Sequence, residues 1–364
     1  MKILVAFESF FNFINSREVG SYIKKELQED TVQMLPVIDG GEGSVEVLKQ
    51  ALDARYEYAN VRGPKGDVVT ARYAVKGEFC VMEMAEACGL NLVDPDERDI
   101  LNSTSMGLGE MISDSLNKGA RDFIIGVGDS ATNDLGIGML YSLGARFLDK
   151  NGNSLRPLAK NLGFIEDIDL NGLDKRIFDS TIRVACNIDN PLLGENGAAK
   201  RAKIKGASKK EIEFLEESAI KFTDMVERKL MYSTKNFPQA GAGGGVGYAF
   251  LTFLNASIQR SIDLILEIVD FKTLIKDIDL VIIGEKLDDF KDSPSLEIAK
   301  RAKKFKPDAK VVFIGEKIKE DFKKPLEIDS VFPISFFEID SKKDKDFYLK
   351  SLSKLVRQIR NLVN

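Results

Sequence analysis

A chain of 364 residues, of which 44% are hydrophobic, has enough material for two domains of ordinary size. Its formal net charge of -5 argues against a general nucleic-acid binder, whose surface would be basic. The chain contains no histidine, which excludes Ser-His-Asp and Cys-His sites and any imidazole proton relay. Phosphoryl transfer, which depends mainly on positioning and electrostatics, is the reaction class that best tolerates this composition.

The cysteine content and the hydropathy indicate a cellular location. Cys80, Cys88 and Cys186 form no CxxC pair, and so sparse a set is typical of a reducing compartment. The first apolar run stops at Glu8, which is short for a signal peptide. No window approaches the roughly 18 apolar residues that a membrane span needs. We therefore expect a soluble, cytoplasmic protein that binds neither membrane nor nucleic acid.

The first fifty residues alternate between strand and helix. Lys2–Phe7 and Val32–Val37 read as buried strands, and a helix from about Ser16 places Val19, Tyr22, Ile23 and Leu27 on one face. A glycine-rich turn at 39–43 then leads into a helix over Ser44–Leu52. This order is typical of a parallel α/β sheet.

Residues 55 to 85 have a different pattern, in which Val68–Tyr73 and Phe79–Met84 alternate in polarity between glycine turns, as antiparallel hairpins do. The helix–strand rhythm then returns. The predicted strands are Asp122–Val127, Arg183–Ile188, Asp279–Ile283, Lys310–Ile314 and a strand near Val331–Ser335. The predicted helices are Gly107–Asn117, a helix ending near Leu143, Lys209–Lys229, a helix opened by Gln239–Gly247, Ser295–Lys304 and Asp346–Leu362.

The two ends of the chain share one pattern and the middle has another. We therefore predict an α/β protein of two domains. A discontinuous, flavodoxin-like parallel domain comprises residues 1–60 plus 265–364, and a second α/β domain with a mixed sheet, residues 61–264, is inserted into it.

Polar, glycine-rich junctions follow the predicted strands at five places, where open α/β sheets bind their ligands. They are Glu8, Asp39–Gly43, Gly128–Asp134, Asn187–Asn190 and Gly284-Glu285. One such junction would be weak evidence of a site, since Gly and Asp fill turns everywhere.

The segment from Asp39 to Ser44 is the sharpest of these motifs. Gly40 and Gly41 would let a ligand approach the backbone closely, and the amides that open the next helix favour an anion. Asp39 and Glu42 could hold Mg²⁺ directly or through water. The alternative is an ordinary helix-start turn, and the segment alone does not decide between the two.

The segment Gly126–Gly138 lacks the GK[ST] of a phosphate-binding P-loop. It does place Ser130, Thr132 and Asn133 near a helix start, where they could donate hydrogen bonds to a phosphate or a hydroxyl. Asp134 could serve as a metal ligand or a base. A tight, capped strand–helix loop is the competing interpretation.

The glycines at 241–247 fit a dinucleotide fingerprint poorly, because the third glycine is misplaced and no strand precedes them. Gly241, Gly243 and Gly244 would instead line a nucleotide pocket or allow close helix packing. A dinucleotide oxidoreductase would rest on the α/β pattern alone.

Several long strings of this sequence resemble the bacterial type I glycerate kinases, in matching order and spacing over about the first 315 residues. They are Val37-Ile-Asp-Gly-Gly-Glu-Gly-Ser44, Met82-Glu-Met-Ala-Glu-Ala-Cys-Gly-Leu90, Ser130-Ala-Thr-Asn-Asp134, Val184-Ala-Cys-Asn-Ile-Asp-Asn-Pro-Leu192 and Gly241-Ala-Gly-Gly-Gly-Val-Gly247. The resemblance implies transfer of the γ-phosphoryl of ATP to D-glycerate or a related small hydroxy acid, with Mg²⁺. It also implies two α/β domains, one flavodoxin-like and discontinuous, with the active site in the cleft between them. A homodimer is one option for the oligomeric state.

The matching positions receive expected roles from this resemblance. The catalytic candidates are Asp189 (the general base), Asp134 and Glu285. The substrate or nucleotide candidates are Ser9, Gly40, Gly41, Ser130, Thr132, Asn133, Asn187, Asn190, Gly241, Gly243, Gly244 and Lys286. The metal candidates are Asp39, Glu42 and Asp288.

The sequence departs from the family pattern mainly at basic positions. Phe11 stands where the family's first strand is followed by Lys, and the segment 284–294 lacks the family's Arg, Gln-Thr and Gly-Lys. Asp129 adds a negative charge beside the expected anion site. Loss of one such cation can lower a phosphoryl-transfer rate by about 10³–10⁵, unless Lys286 or Lys291 substitutes for it. The alternative hypothesis is therefore a degenerate paralogue that binds a ligand or partner without turnover. A basic side chain reaching the site from another segment would favour the kinase.

Overall fold

The structure is a computed structural model that describes residues 1–7, 16–35, 37, 43–187, 189–285, 290, 293–315, 323–334 and 345–363. The chain forms two compact units. One comprises Met1–Ile38 and Ile262–Asn364, and the other comprises Asp39–Ser261.

The strands, numbered in chain order, are β1 (Lys2–Phe7), β2 (Thr31–Met34), β3 (Arg55–Arg62), β4 (Val68–Lys76), β5 (Phe79–Glu83), β6 (Asp122–Gly126), β7 (Arg146–Leu148), β8 (Asp167–Asp169), β9 (Thr181–Ala185), β10 (Ser257–Gln259), β11 (Leu280–Glu285), β12 (Lys310–Gly315) and β13 (Ser330–Pro333). The α-helices are α1 (Ser16–Glu26), α2 (Ser44–Leu52), α3 (Ala85–Cys88), α4 (Met106–Asn117), α5 (Ile137–Ser142), α6 (Ala198–Arg201), α7 (Lys209–Leu230), α8 (Ala242–Phe253), α9 (Ser261–Ile268), α10 (Phe271–Leu274), α11 (Pro294–Phe305) and α12 (Lys345–Val363).

The discontinuous unit contains a five-stranded sheet in the order β13-β12-β11-β1-β2, and every neighbouring pair is parallel. Reading from β2, this is the 2-1-3-4-5 order of flavodoxin-like folds, which confirms the predicted fold class. β1 and β11 are almost wholly apolar and buried, as expected of central parallel strands. The strand order switches between these two strands, because β2 lies on the outer side of β1 whereas β12 and β13 extend beyond β11.

One face of this sheet is covered by α1 and α12, which pack against each other. The apolar stripe of α1 includes Val19 and Ile23, and that of α12 includes Leu352 and Val356, all of them buried in one cluster with β1 and β11. The helical period seen in the sequence therefore corresponds to a real core-facing stripe.

The second unit contains a six-stranded mixed sheet in the order β10-β9-β6-β5-β4-β3. In this sheet β5, β6, β9 and β10 are parallel to one another, whereas β3 with β4 and β4 with β5 form antiparallel pairs. A separate two-stranded antiparallel sheet, β7 with β8, packs against α7. The long helix α7 begins with a capping box between Ser208 and Glu211.

The edge of the second unit differs from the division drawn from the sequence at residues 60 and 265. β3 pairs with β4 from Arg55 to Arg62, and α2 packs against β4 and β5. The contacts therefore assign residues 39–60 to the second unit. The sequence pattern around α2 resembles the preceding α/β segment, and the predicted boundary at residue 60 therefore differs from the one that the contacts give.

No helix among the described residues is both long enough and apolar enough to span a bilayer.

Candidate functional site

Three neighbouring strands of the mixed sheet end side by side. Glu83 of β5 lies opposite Gly126 of β6, which in turn lies opposite Ala185 of β9. Because these strands are parallel, the loops that follow them leave the sheet along one edge. The predicted loops 128–134 and 187–190 are therefore brought together, as their positions after strands suggested.

The glycine segment Gly241–Gly247, which includes the first turns of α8, joins these two loops through backbone hydrogen bonds. The Gly241 amide donates to the Asn190 carbonyl at 3.1 Å, and the Leu135 amide donates to the Gly244 carbonyl at 3.1 Å. Three segments distant in sequence thus form one continuous wall.

Gly243, Gly244 and Gly245 have left-handed backbone conformations, with φ of 62°, 73° and 90°. A Cβ atom at Gly244 would lie 2.1 Å from the Thr132 carbonyl oxygen. Only glycine allows both the conformation and this approach. Close packing therefore accounts for the glycine run, although Gly243 and Gly244 also line the pocket described next.

The three segments line a pocket of about 150 Å³ in the second unit, and this pocket is open to solvent on one side. The predicted site residues that line it are Ser130, Asn187, Asn190, Gly241, Gly243 and Gly244. Leu90, Val127 and Ile204 supply apolar wall. The charged residues that line the pocket are Asp129, Arg201 and Lys205.

Lys205 is the main feature that the sequence analysis missed. Its side chain is buried, and its ammonium donates to Ser130 Oγ at 2.8 Å and to the Thr132 carbonyl at 2.7 Å. No carboxylate of the described residues lies within ion-pair distance of it. Burial lowers the pKa of Lys205 to about 7, an effect that Arg201 reinforces and Asp134 opposes. The pocket therefore contains a buried cation whose charge has no direct counter-ion within the described part of the chain.

The sequence carried a signal for Lys205 that could have been read. Ala198 and Ala202 are buried, and Lys205 follows them at the i, i+4, i+7 spacing of one helical face. The lysine-rich surroundings from Lys200 to Lys210 hid this signal, because such runs usually form a solvated surface.

Asp134 occupies a different place from the one expected of a base or metal ligand. Its carboxylate is fully buried and accepts from Ser105 N at 2.8 Å, Ser105 Oγ at 2.9 Å, Gly136 N at 3.1 Å and Gly138 N at 3.2 Å. Burial raises its pKa against these hydrogen bonds. It does not line the pocket, and this geometry favours a structural role in holding the loop before α5.

Thr132 and Asn133 are also buried behind the pocket wall and do not line it. The Asn133 Nδ2 donates to the Ala198 carbonyl at 3.2 Å, which ties the loop to α6. Thr132 Oγ1 and Asn133 Oδ1 have no hydrogen-bond partner among the described residues. Thr132 reaches the site through its carbonyl, which accepts from Lys205.

The loop after β9 presents an exposed carboxylate and two amides. Asp189 is exposed and accepts a hydrogen bond from Gln239 Nε2. Asn187 Oδ1 accepts from the Ser261 amide at 2.9 Å, and Asn190 is buried. Of the catalytic candidates, Asp189 is thus the one adjacent in sequence to a residue that lines the pocket.

A second residue that the sequence analysis missed is the carboxylate Glu83, at the end of β5. It is fully buried and accepts from the amides of Gly43 at 3.2 Å and Ser44 at 2.8 Å, where α2 begins. Burial raises its pKa to about 7 despite these bonds. Glu83 therefore anchors the helix that follows the acidic segment 39–42.

Glu285 belongs to the other unit, where it ends β11. Its buried carboxylate accepts from Ser293 Oγ and from the Ser295 amide, at the start of α11, and burial raises its pKa. Ser9, Asp39, Gly40, Gly41, Glu42, Lys286 and Asp288 lie outside the described residues. Within the described ranges, no three His, Cys, Asp or Glu side chains come together as a metal site.

The fold and the pocket define a two-unit α/β protein with a flavodoxin-like sheet and a small cationic pocket at the carboxyl edge of a mixed sheet. The family model described as "Glycerate kinase family" matches residues 3–364. The chain belongs to the glycerate kinase family.

Relatives and a solved structure are similar to this chain over most of its length. The "Glycerate kinase" of Bacillus subtilis (strain 168) is 38% identical over 346 residues, which cover 92% of this chain and 90% of the relative. The "Glycerate 2-kinase" of Escherichia coli (strain K12) is 40% identical over 292 residues, covering 78% and 77%. A crystal structure described as "putative glycerate kinase 2" from Salmonella typhimurium LT2 superposes with a TM-score of 0.88 at 31% identity, covering 100% of this chain and 98% of that one.

Proposed function

We propose that this protein is a kinase that transfers the γ-phosphoryl group of ATP to D-glycerate or a related small hydroxy acid. Membership of the glycerate kinase family supports the reaction class. The single observation that carries the proposal is the Lys205–Arg201 pair in the pocket. The reactants of a kinase are anionic, and this pair supplies positive charge for one of them from a segment other than those where the family's basic residues are replaced.

In the proposed reaction a hydroxyl oxygen of the acid attacks the γ-phosphorus. A new P–O bond forms, the bond between the γ-phosphorus and the bridging oxygen breaks, and ADP leaves. The hydroxyl proton passes to a general base, for which we propose Asp189. Its exposed carboxylate, hydrogen-bonded to Gln239, is accessible to a substrate and is held in orientation by the amide.

We propose Mg²⁺ as the metal, with Asp39, Glu42 and Asp288 as ligands and Glu285 nearby. Carboxylate oxygens are the donors that Mg²⁺ prefers. The Glu285 carboxylate accepts two hydrogen bonds in the described structure, and its remaining lone pairs fit such a role. When bound, the ion would neutralise charge on the phosphate oxygens.

The test is a coupled ADP-release assay with Mg·ATP and D-glycerate, followed by ³¹P NMR of the product to identify the phosphorylated hydroxyl. No turnover above background at millimolar substrate would refute the kinase. Asp189→Asn should lower kcat by about 10²–10⁴, whereas Gln239→Ala, which removes only the orienting partner, should have the smaller effect.

The second candidate is a degenerate paralogue that binds without turnover, favoured by the altered segment 284–294 and by Phe11. Calorimetry with D-glycerate and with ATP separates the two. Binding of either ligand by a protein without turnover supports the paralogue, and ready turnover removes it.

A further inference from the structure

We infer that the 150 Å³ pocket is the binding site of the acceptor acid, and that Arg201 and Lys205 bind its carboxylate. This inference rests on the proposed function and deepens it, because it states which of the two substrates the pocket takes and which residues recognise it. Neither residue matches any of the strings that carried the resemblance.

The size of the pocket suits the smaller of the two substrates. A cavity of about 150 Å³ accommodates benzene, which is close in size to a three-carbon hydroxy acid. Pockets for larger ligands, such as a whole nucleotide, occupy about 300–1,000 Å³. The pocket volume of about 150 Å³ is therefore sufficient for D-glycerate, and a larger ligand would extend out of the open side of the pocket.

Two cationic residues, Arg201 and Lys205, and one acidic residue, Asp129, line the pocket, and this excess of positive charge fits a carboxylate ligand. Lys205 is 7% exposed, and Asp134, the acid that opposes the lowering of its pKa, is itself occupied by four hydrogen bonds. Burying an ammonium without a counter-ion is unfavourable, and an anionic ligand would relieve that penalty. Arg201 is exposed at the pocket wall, and its planar guanidinium matches a carboxylate in a bidentate manner.

The remaining polar groups suit the rest of such a ligand. Ser130 Oγ accepts from Lys205, so its own hydroxyl proton is directed to a different acceptor, such as a ligand oxygen. The buried Asn190 amide also lines the pocket. Leu90, Val127 and Ile204 form an apolar border that suits the carbon chain of such a ligand.

The experiment compares Arg201→Gln, Lys205→Gln and the control Lys203→Gln, which removes an exposed lysine from the same short helical segment. Calorimetry measures the Kd of D-glycerate, glycerol, ADP and inorganic phosphate, and steady-state kinetics measures KM and kcat. Glycerol serves as the neutral analogue that lacks the carboxylate.

We expect Arg201→Gln and Lys205→Gln each to weaken D-glycerate binding by about 10- to 100-fold, the effect of losing a charge-assisted hydrogen bond. ADP binding should change less than about threefold, and Lys203→Gln should behave as the wild type. The preference for D-glycerate over glycerol should shrink in both site variants, which a purely structural role would not cause.

The inference is overturned if the two variants weaken ADP or phosphate binding while D-glycerate binding is unchanged, since the pocket would then hold a nucleotide phosphate. It is also overturned if the wild type turns over D-glycerate and neither variant changes its KM, an outcome that leaves the kinase proposal intact. Carboxylate-dependent binding without turnover would instead refute the kinase and support the pocket assignment. If Lys205→Gln does not fold, the D-glycerate binding of Arg201→Gln tests the inference by itself, because Arg201 is exposed.

Discussion

Replacement of Gly244 by alanine tests whether packing requires the glycine run. The residue has φ of +73°, and a left-handed conformation costs an alanine about 1–2 kcal/mol. The new Cβ would meet three backbone atoms of Thr132 and Asn133 at 2.1–2.9 Å. Backbone cannot rotate away, so a further overpacking cost of about 1–3 kcal/mol follows. The sum, about 2–5 kcal/mol, corresponds to a fall in Tm of about 4–20 °C for a unit of this size.

Gly152→Ala is the matched control, because Gly152 has φ of +80° and open space around its Cβ direction. Only the conformational part of the cost remains, about 1–2 kcal/mol. Thermal unfolding followed by circular dichroism measures both variants under identical conditions. If Gly244→Ala lowers Tm no more than Gly152→Ala does, close packing does not explain the glycine run, and a role in ligand binding gains support.

Three further outcomes follow from the buried ionisable groups. Asp134→Asn should lower Tm by about 4–15 °C, because the side-chain amide nitrogen of the new asparagine would face backbone N–H donors. An unchanged Tm with loss of turnover would instead indicate a catalytic role for Asp134. Glu83 has a folded pKa of about 7 against its usual 4.5, so its stabilising contribution is present below pH 4.5 and is lost as pH rises through 7. The Tm of Glu83→Gln relative to wild type should therefore be higher at pH 8 than at pH 5, and equal differences would contradict this. Lys205, near Asp134 and Arg201, has its pKa lowered from 10.5 to about 7, so its contribution to stability is present above pH 10.5 and is lost as pH falls through 7. D-glycerate binding, which uses the ammonium form, should weaken above pH 7 by up to about tenfold per pH unit, and should be nearly independent of pH in Lys205→Gln.

The secondary structure was predictable wherever the apolar pattern was long and uniform. β1, α2 and α7 begin and end within about one residue of the ranges read from the sequence. The mixed sheet was also expected from the hairpin pattern of β4 and β5. β3 was not, because its alternation is broken by Glu57, Tyr58 and Asn60 at the edge of the sheet, where one side of the strand is unpaired.

The candidate site was predictable only in part. The structure places Ser130, Asn187 and Asn190 along one pocket, because parallel strands end at one edge. Their role in binding a ligand stays a prediction. The roles assigned to Asp189 and Glu285 remain predictions. Asp134 illustrates the limit of the method, since an aspartate near a helix start gives no sign of whether it faces a ligand or the amides of its own loop.

The sequence by itself determined the α/β class, the glycine turns and the family, because each depends on local periodicity or on contiguous strings of residues. Only the tertiary structure decided where the positive charge of the pocket comes from. Lys205 is separated from Ser130 by 75 positions, and its burial depends on α6 packing against the glycine segment and the loop after β6. Burial and the hydrogen bonds of an ammonium are properties of its surroundings in space, and a single sequence read in order does not contain them.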